Sequence, residues 1–204
     1  MPETTSPALE PGSRTLVLGS TSRYRNELLS RLRLPFDVAS PEVDESRLPG
    51  ESPQDMARRL ALAKARAVSL RFPGAVVIGS DQVADLSGQA IGKPGTHDRA
   101  VAQLRLMSGK TVIFQTAVAV VCRETGFEQM DLAPVRVTFR HLTDSEIEAY
   151  LQAERPYDCA GSARSEGLGV ALLDAIDSDD PTALVGLPLI RTCRMIRAAG
   201  VKVL

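Results

Sequence analysis

Asp81 stands where a run of β-branched residues, Val76-Val77-Ile78, gives way to the small-residue step Gly79-Ser80. Such a run reads as a buried strand, and the sheets of α/β proteins set their chemistry just beyond strand ends. The pattern predicts a carboxylate at the strand's tip, carried on the rim of a rigid core. Further along, Gly92-Lys93-Pro94 is a second small-residue step, with one cation. An acid and a lysine on adjacent loops suit a metal-assisted phosphate site. The plainer alternative is a turn aspartate beside a solvated lysine.

Other segments offer compatible chemistry. Ser20-Thr21-Ser22-Arg23-Tyr24-Arg25 lies where a strand passes into a helix. Free N–H groups and the helix dipole favour an anion there, and an arginine clamps phosphate in bidentate fashion. The glycines and lysine of a P-loop are missing, and an ordinary helix cap is the alternative. Asp44 and Glu45 lie in an acidic loop spanning residues 41–50, and carboxylates of this kind bind Mg²⁺ together with phosphate oxygens. Lys64, in an alanine-rich helix, either reaches a phosphate or snorkels to water. Residues 161–169 form a Gly- and Ser-rich loop around Arg164 and Glu166, with the adaptability of a ligand-contacting segment.

The elements that must position these residues follow from periodicity and punctuation. Strands are expected at 15–19, 36–39, 76–81, 111–122 and 135–139, with a hairpin pairing 83–86 and 89–91 around Ser87-Gly88. Helices are expected at 23–34, from a Ser52 cap to about 72, at 98–107, from a Thr143–Glu146 capping box to 154, and at 187–199. Two short strands are expected around Asp174-Ala175. Strand–helix alternation at both ends with a hairpin-rich middle gives an α/β fold on a long mixed sheet.

Composition narrows the class. The chain has 204 residues, 44% of them hydrophobic, with a net charge of −1. That balance disfavours broad binding to nucleic acid and leaves room for a local basic pocket. No apolar stretch reaches the ~20 residues of a membrane span. Three scattered cysteines, with no C-x-x-C pair, point to a reducing, cytoplasmic setting. Residues 1–13 read as a disordered tail, and residues 14–204 as one domain.

Taken in order, Ser20-x-Ser22-x-x-Arg25, Val43-Asp44-Glu45, Ala63-Lys64-Ala65, Gly79-Ser80-Asp81, Gly92-Lys93-Pro94, Leu106-Met107-Ser108-Gly109-Lys110 and Val185-Gly186-Leu187-Pro188 resemble the Maf family of nucleoside-triphosphate pyrophosphatases. The likeness runs from residue 16 to 204. It implies an inosine-triphosphatase-like architecture: an elongated, twisted mixed sheet flanked by helices, with two lobes and a central cleft. It implies hydrolysis between the α and β phosphates, with Asp81 as general base. A divalent cation (Mg, Mn or Co) is implied, with Asp81 and Glu45 as its ligands. Ser20, Arg25, Glu45, Lys64 and Lys93 would line the polar pocket around the triphosphate.

Within the family, Ser80-Asp81-Gln82, residues 159–162 and Ser165-Glu166-Gly167 resemble the branch acting on 7-methyl-GTP. Tyr24, Gln82 and Glu166 would then set base choice. Tyr24 offers an aromatic face to a cationic ring, Glu166 accepts from guanine N1–H and N2–H₂, and Gln82 reads a neighbouring carbonyl. The chain departs from the family motif at Tyr24, where Trp is usual, and at Arg23, where Pro is common. The resemblance leaves two alternatives open, a dTTP/UTP pyrophosphatase and a septum-formation regulator acting by binding. It also implies a possible homodimer.

Overall fold

A computed structural model describes residues 14–204. The expected tail, residues 1–13, lies outside the described residues. The strands are β1 (Leu16–Leu18), β2 (Phe36–Val38), β3 (Val76–Leu86), β4 (Gln89–Ile91), β5 (Thr111–Cys122), β6 (Phe127–Phe139) and β7 (Leu173–Asp177). The helices are α1 (Arg23–Ser30), α2 (Pro53–Ser69), α3 (His97–Met107), α4 (Asp144–Glu154) and α5 (Leu189–Ala198). One mixed sheet runs β2-β1-β3-β5-β6-β7, with β4 also on β3. β2, β1 and β3 are parallel, and the remaining pairs are antiparallel. The expected mixed α/β class is the one observed. Among the described residues no helix is long and apolar enough to cross a membrane.

Alternation along β3 and β5 explains the division of one sheet face into two cores. On one face the even positions Val76 and Ile78 join Val118, Val120, Leu28, Leu29 and Ile196 in one core. Further along the same face Ala84, Val112 and Phe114 join Leu104, Val137 and Leu151 in another. Between the cores the even positions are polar: Ser80, Gln82 and Thr116. These three seat the turn that precedes α5. Ser80 Oγ donates to Gly186 O at 2.9 Å, Thr116 Oγ1 donates to Ala183 O at 3.0 Å, and Gln82 Nε2 donates to Ala183 O and Leu184 O, each at 2.9 Å. A polar band therefore interrupts the apolar face and separates the cores.

The opposite, odd-numbered face carries Gly79, Asp81 and Val83, and α2 lies across it. Ser52 caps α2 by accepting from Asp55 N at 3.1 Å, and Ala57, Ala61 and Ala65 form its flat buried side. Gly79 makes the closest approach. A Cβ there would stand 2.3 Å from Ala61 O and 2.5 Å from Ala65 N. Gly79→Ala therefore forces α2 off the sheet, at a cost of ~1–3 kcal/mol for overpacking. Denaturant unfolding of the variant checks this, and an unchanged midpoint would show that α2 gives way freely.

Several expected boundaries move. Asp81 is not at a strand tip, because it lies in the middle of the 11-residue strand β3. The Gly79-Ser80 step is not a stop: Gly79 admits α2 and Ser80 holds the Gly186 carbonyl. The strand expected at 135–139 begins at Phe127. The two short strands expected around Asp174-Ala175 are one strand, β7, preceded by a 3-10 turn at Leu168–Leu172. The hairpin, β5 and the capping-box helix fall as expected.

Candidate active site

The sheet itself opens the site. β1 ends with Leu18 opposite Ile78, and β4 joins β3 only from Ala84, opposite Ile91. Among the described residues, 79–83 of β3 thus have no strand partner on that edge. A cavity of about 610 Å³ lies against this gap. Asp81 sits just past the carboxyl end of β1, which restores the logic of the sheet-end site by another route.

The nine residues that the family resemblance assigns to the site all line this one cavity: Ser20, Tyr24, Arg25, Glu45, Lys64, Asp81, Gln82, Lys93 and Glu166. They come from α1, α2, β3, the three loops that carry Ser20, Glu45 and Lys93, and the 159–167 segment. Asp44 does not join them; its Oδ1 accepts from Ser46 N at 2.8 Å in an exposed turn.

The charged centre is built on α2 and β3. Lys64 and Asp81 are buried, at 4% and 7% exposure. Lys64 Nζ lies 2.7 Å from Asp81 Oδ1 and 2.8 Å from Glu45 Oε1, so one ammonium bridges two carboxylates. Lys64 neither snorkels nor stands free, because the approach of α2 over Gly79 sets it beside Asp81. Burial pushes the Asp81 carboxyl above its ordinary range, and the pull of Lys64 and Arg25 does not cancel it. For Glu45, burial also acts upward, but Lys64, Lys93 and Arg25 together bring it below the usual value.

At the strand-to-helix junction, Ser22 caps α1 by accepting from Arg25 N at 3.4 Å. Arg25 turns back across the site. Its Nη1 donates to Ser20 Oγ at 3.3 Å and its Nε to Gly186 O at 2.8 Å. Burial pulls the Arg25 guanidinium downward against the opposing charges of Asp81 and Glu45. A guanidinium nevertheless stays charged in proteins. Lys93 is exposed at the cavity's wall.

The family described as Maf-like protein matches residues 15–199. The chain belongs to the Maf family. Among its relatives, a protein of Albidiferax ferrireducens named 7-methyl-GTP pyrophosphatase is 74% identical over 195 residues, covering 96% of this Maf chain and 98% of that protein. One of the same name from Burkholderia thailandensis is 63% identical over 188 residues, 91% of this chain and 87% of that one. Among solved structures, a HAM1 protein from Coxiella burnetii aligns over 62% of this chain and 73% of its own, with a TM-score of 0.44 and 14% identity.

The far end of the cavity in this Maf protein differs from expectation in two ways. First, the face of Tyr24 is not bare. The guanidinium carbons of Arg23 and Arg164 lie 4.7 and 5.6 Å from its ring centroid. The Tyr24 hydroxyl accepts from Arg23 Nη2 at 2.7 Å and donates to Asp158 Oδ2 at 3.5 Å. Arg164 is in turn held by Glu154 at 2.8 Å and Glu166 at 3.3 Å. Second, Gln82 cannot donate to a base carbonyl. Its Nε2 is already committed to Ala183 O, Leu184 O and Thr116 Oγ1, so only its Oε1 is left for a ligand, as an acceptor.

Cys159 meets the same cluster, its Sγ 3.6 Å from the Tyr24 hydroxyl. Burial pushes its thiol up to about 11, which suits a packing role and not a nucleophile. Sequence reasoning missed Asp158 and the Gly186 carbonyl. Asp158 carries no signal beyond its place next to Cys159. The carbonyl was foreshadowed by the polar interruption Ser80, Gln82, Thr116 on otherwise apolar strands.

Proposed function

We propose that this chain hydrolyses 7-methyl-GTP to 7-methyl-GMP and pyrophosphate, and so keeps a modified nucleotide from incorporation. One observation carries the reaction class: a buried carboxylate, Asp81, shares a single cavity with Lys64, Arg25 and Lys93. The names of the relatives at 74% and 63% identity support the substrate.

In this mechanism Arg25, Lys64 and Lys93 offset the charge of the triphosphate, and the hydroxyl of Ser20 adds a donor. Asp81 takes a proton from a water molecule. The water oxygen bonds to the α phosphorus, the bond to the bridging oxygen breaks, and pyrophosphate leaves with that electron pair. A base whose affinity for protons is raised by burial is well matched to this task.

A divalent cation fits the donor set. Lys64 bridges one oxygen of Asp81 and one of Glu45, so both carboxylates face a common positive charge, which supports this reading. Mg²⁺ is commonly held by one or two carboxylates plus substrate phosphate oxygens. Asp81 and Glu45 would hold it, and when bound it would offset phosphate charge and acidify the attacking water.

For base choice, Glu166 accepts from guanine N1–H and N2–H₂, its carboxylate steadied by Arg164. Tyr24 gives its ring to the cationic base in competition with Arg23 and Arg164. Gln82 contributes an acceptor through Oε1. The proposed substrate is a free nucleotide in the cytoplasm, not a nucleic acid chain.

Kinetics on 7-methyl-GTP, GTP, dTTP and UTP with Mg²⁺, Mn²⁺ or Co²⁺ test the proposal. The highest kcat/KM is expected on 7-methyl-GTP. Glu166→Gln should lower that value by ~10- to 100-fold, as expected for losing a charged hydrogen-bond partner. Preference for dTTP and UTP would overturn the base assignment and leave the reaction standing. No turnover of any triphosphate would overturn the reaction.

A further inference from the structure

Lys93 and Glu166 reach the cavity from two different loops, and neither loop belongs to the sheet. What fixes the distance between a phosphate-side cation and a base-side carboxylate is therefore a separate question from what places either one. The answer lies on α3, outside the cavity lining.

Gln103 of α3 makes two hydrogen bonds, one to each loop. Its Nε2 donates to Gly92 O at 3.1 Å, next to Lys93. Its Oε1 accepts from Ser162 Oγ at 2.6 Å, in the segment that leads to Glu166. The amide's orientation follows from chemistry: Gly92 O is only an acceptor, so the nitrogen must face it. Gly161 N also donates to Gly92 O, but at a long 3.4 Å.

The Ser162 end of this bridge is under strain. Ser162 has φ of 54° and Gly161 has φ of 69°, so a left-handed pair forms the turn. A Cβ on Gly161 would sit 3.2 Å from the Phe114 ring. Ser162 is fully buried, and left-handed backbone at a non-glycine residue persists only where its surroundings fix it. Its hydroxyl bond to Gln103 is part of that fixing.

We propose that Gln103 is a positioning residue for the nucleotide. It ties the Lys93 loop to the Glu166 segment and so sets the span between the phosphate and base contacts. This rests on the pyrophosphatase reading above. Gln103 touches no reacting atom, so its loss should loosen substrate binding more than it slows chemistry.

The test uses the full chain, with Gln103→Leu and Ser162→Ala as single variants and together. Gln103→Leu keeps the side chain's bulk and removes both bonds. We expect its KM for 7-methyl-GTP to rise ~tenfold, the scale of one lost hydrogen bond, with kcat within about threefold of wild type. Ser162→Ala should raise KM in the same direction. The double variant should be no worse than Gln103→Leu alone, because both changes cut one bridge. If Gln103→Leu does not fold, Ser162→Ala carries the KM test. A folded single variant with unchanged KM, or fully additive effects in the double variant, overturns the assignment while wild-type turnover stands. A wild type inactive on 7-methyl-GTP overturns the pyrophosphatase reading and this inference with it.

Discussion

Asp81→Asn is expected to cut kcat on 7-methyl-GTP by ~10²–10⁴-fold, the range typical of a lost general base, while nucleotide still binds. The substitution keeps shape and keeps an oxygen that accepts from Lys64, whose Nζ is 2.7 Å from Asp81 Oδ1. Arg25, Lys64 and Lys93 remain to hold the triphosphate. What disappears is the group that takes the proton. The pH profile of the wild type adds a second measure. Burial raises the Asp81 carboxyl from the ordinary 3.8. The acid limb of kcat/KM, which reports the free enzyme, should accordingly lie above that value, because activity falls as the base gains its proton. The asparagine variant should lack this limb in its residual activity. Single-turnover rates and equilibrium nucleotide binding decide the matter. Equal loss of binding and rate would assign Asp81 a structural role, and retained turnover would remove it from the chemistry.

Much of this was legible in the sequence because the signals were local. The Thr143–Glu146 capping box placed α4, and the Ser87-Gly88 turn placed the hairpin whose Ala90 and Ile91 line the cavity. The gathering of nine residues from distant segments came from ordered motifs, which carry long-range information that periodicity does not. Where expectation failed, one residue type had two possible uses. Gly79-Ser80 looks like a strand stop, yet both are strand residues with jobs on opposite faces. Nothing local distinguishes a glycine that ends a strand from one that admits a helix. Residues 127–134 of β6 hid because their alternation is weak, with Glu128, Gln129 and Met130 all exposed, and because Pro134 normally breaks a strand. For Gln82, residue type announces an amide but not which of its ends is already bonded. That depended on the Ala183–Gly186 turn, some hundred residues away along the chain. Arg164 near Tyr24 is likewise a long-range contact that no spacing rule contains.

Lys64→Met is expected to have a large effect of a different kind, one that depends on pH. Methionine replaces the stem but not the ammonium, so Asp81 stays buried without its nearest cation. Breaking a buried pair at one partner typically costs ~3–5 kcal/mol, because the remaining charge is left uncompensated. The sign follows from the direction of the Asp81 shift. A carboxyl that holds its proton more tightly when folded contributes stability fully below its unfolded value. That contribution is lost as pH rises through the folded value. Removing Lys64 raises the folded value further, since Lys64 is the foremost group pulling it down. The variant should therefore be much less stable than wild type near neutral pH and should approach it as the pH is lowered. Its acid limb of kcat/KM should move upward in step, because the same proton of the free enzyme governs both. Adding Asp81→Asn to Lys64→Met removes the stranded charge, so the double variant should recover stability at neutral pH without recovering turnover. Denaturant unfolding and kcat/KM profiles across the acid-to-neutral range read these effects separately. A stability loss that is the same at every pH would mean that Lys64 acts by packing alone. Its bridge between Asp81 and Glu45 would then hold no charge that folding must keep paired.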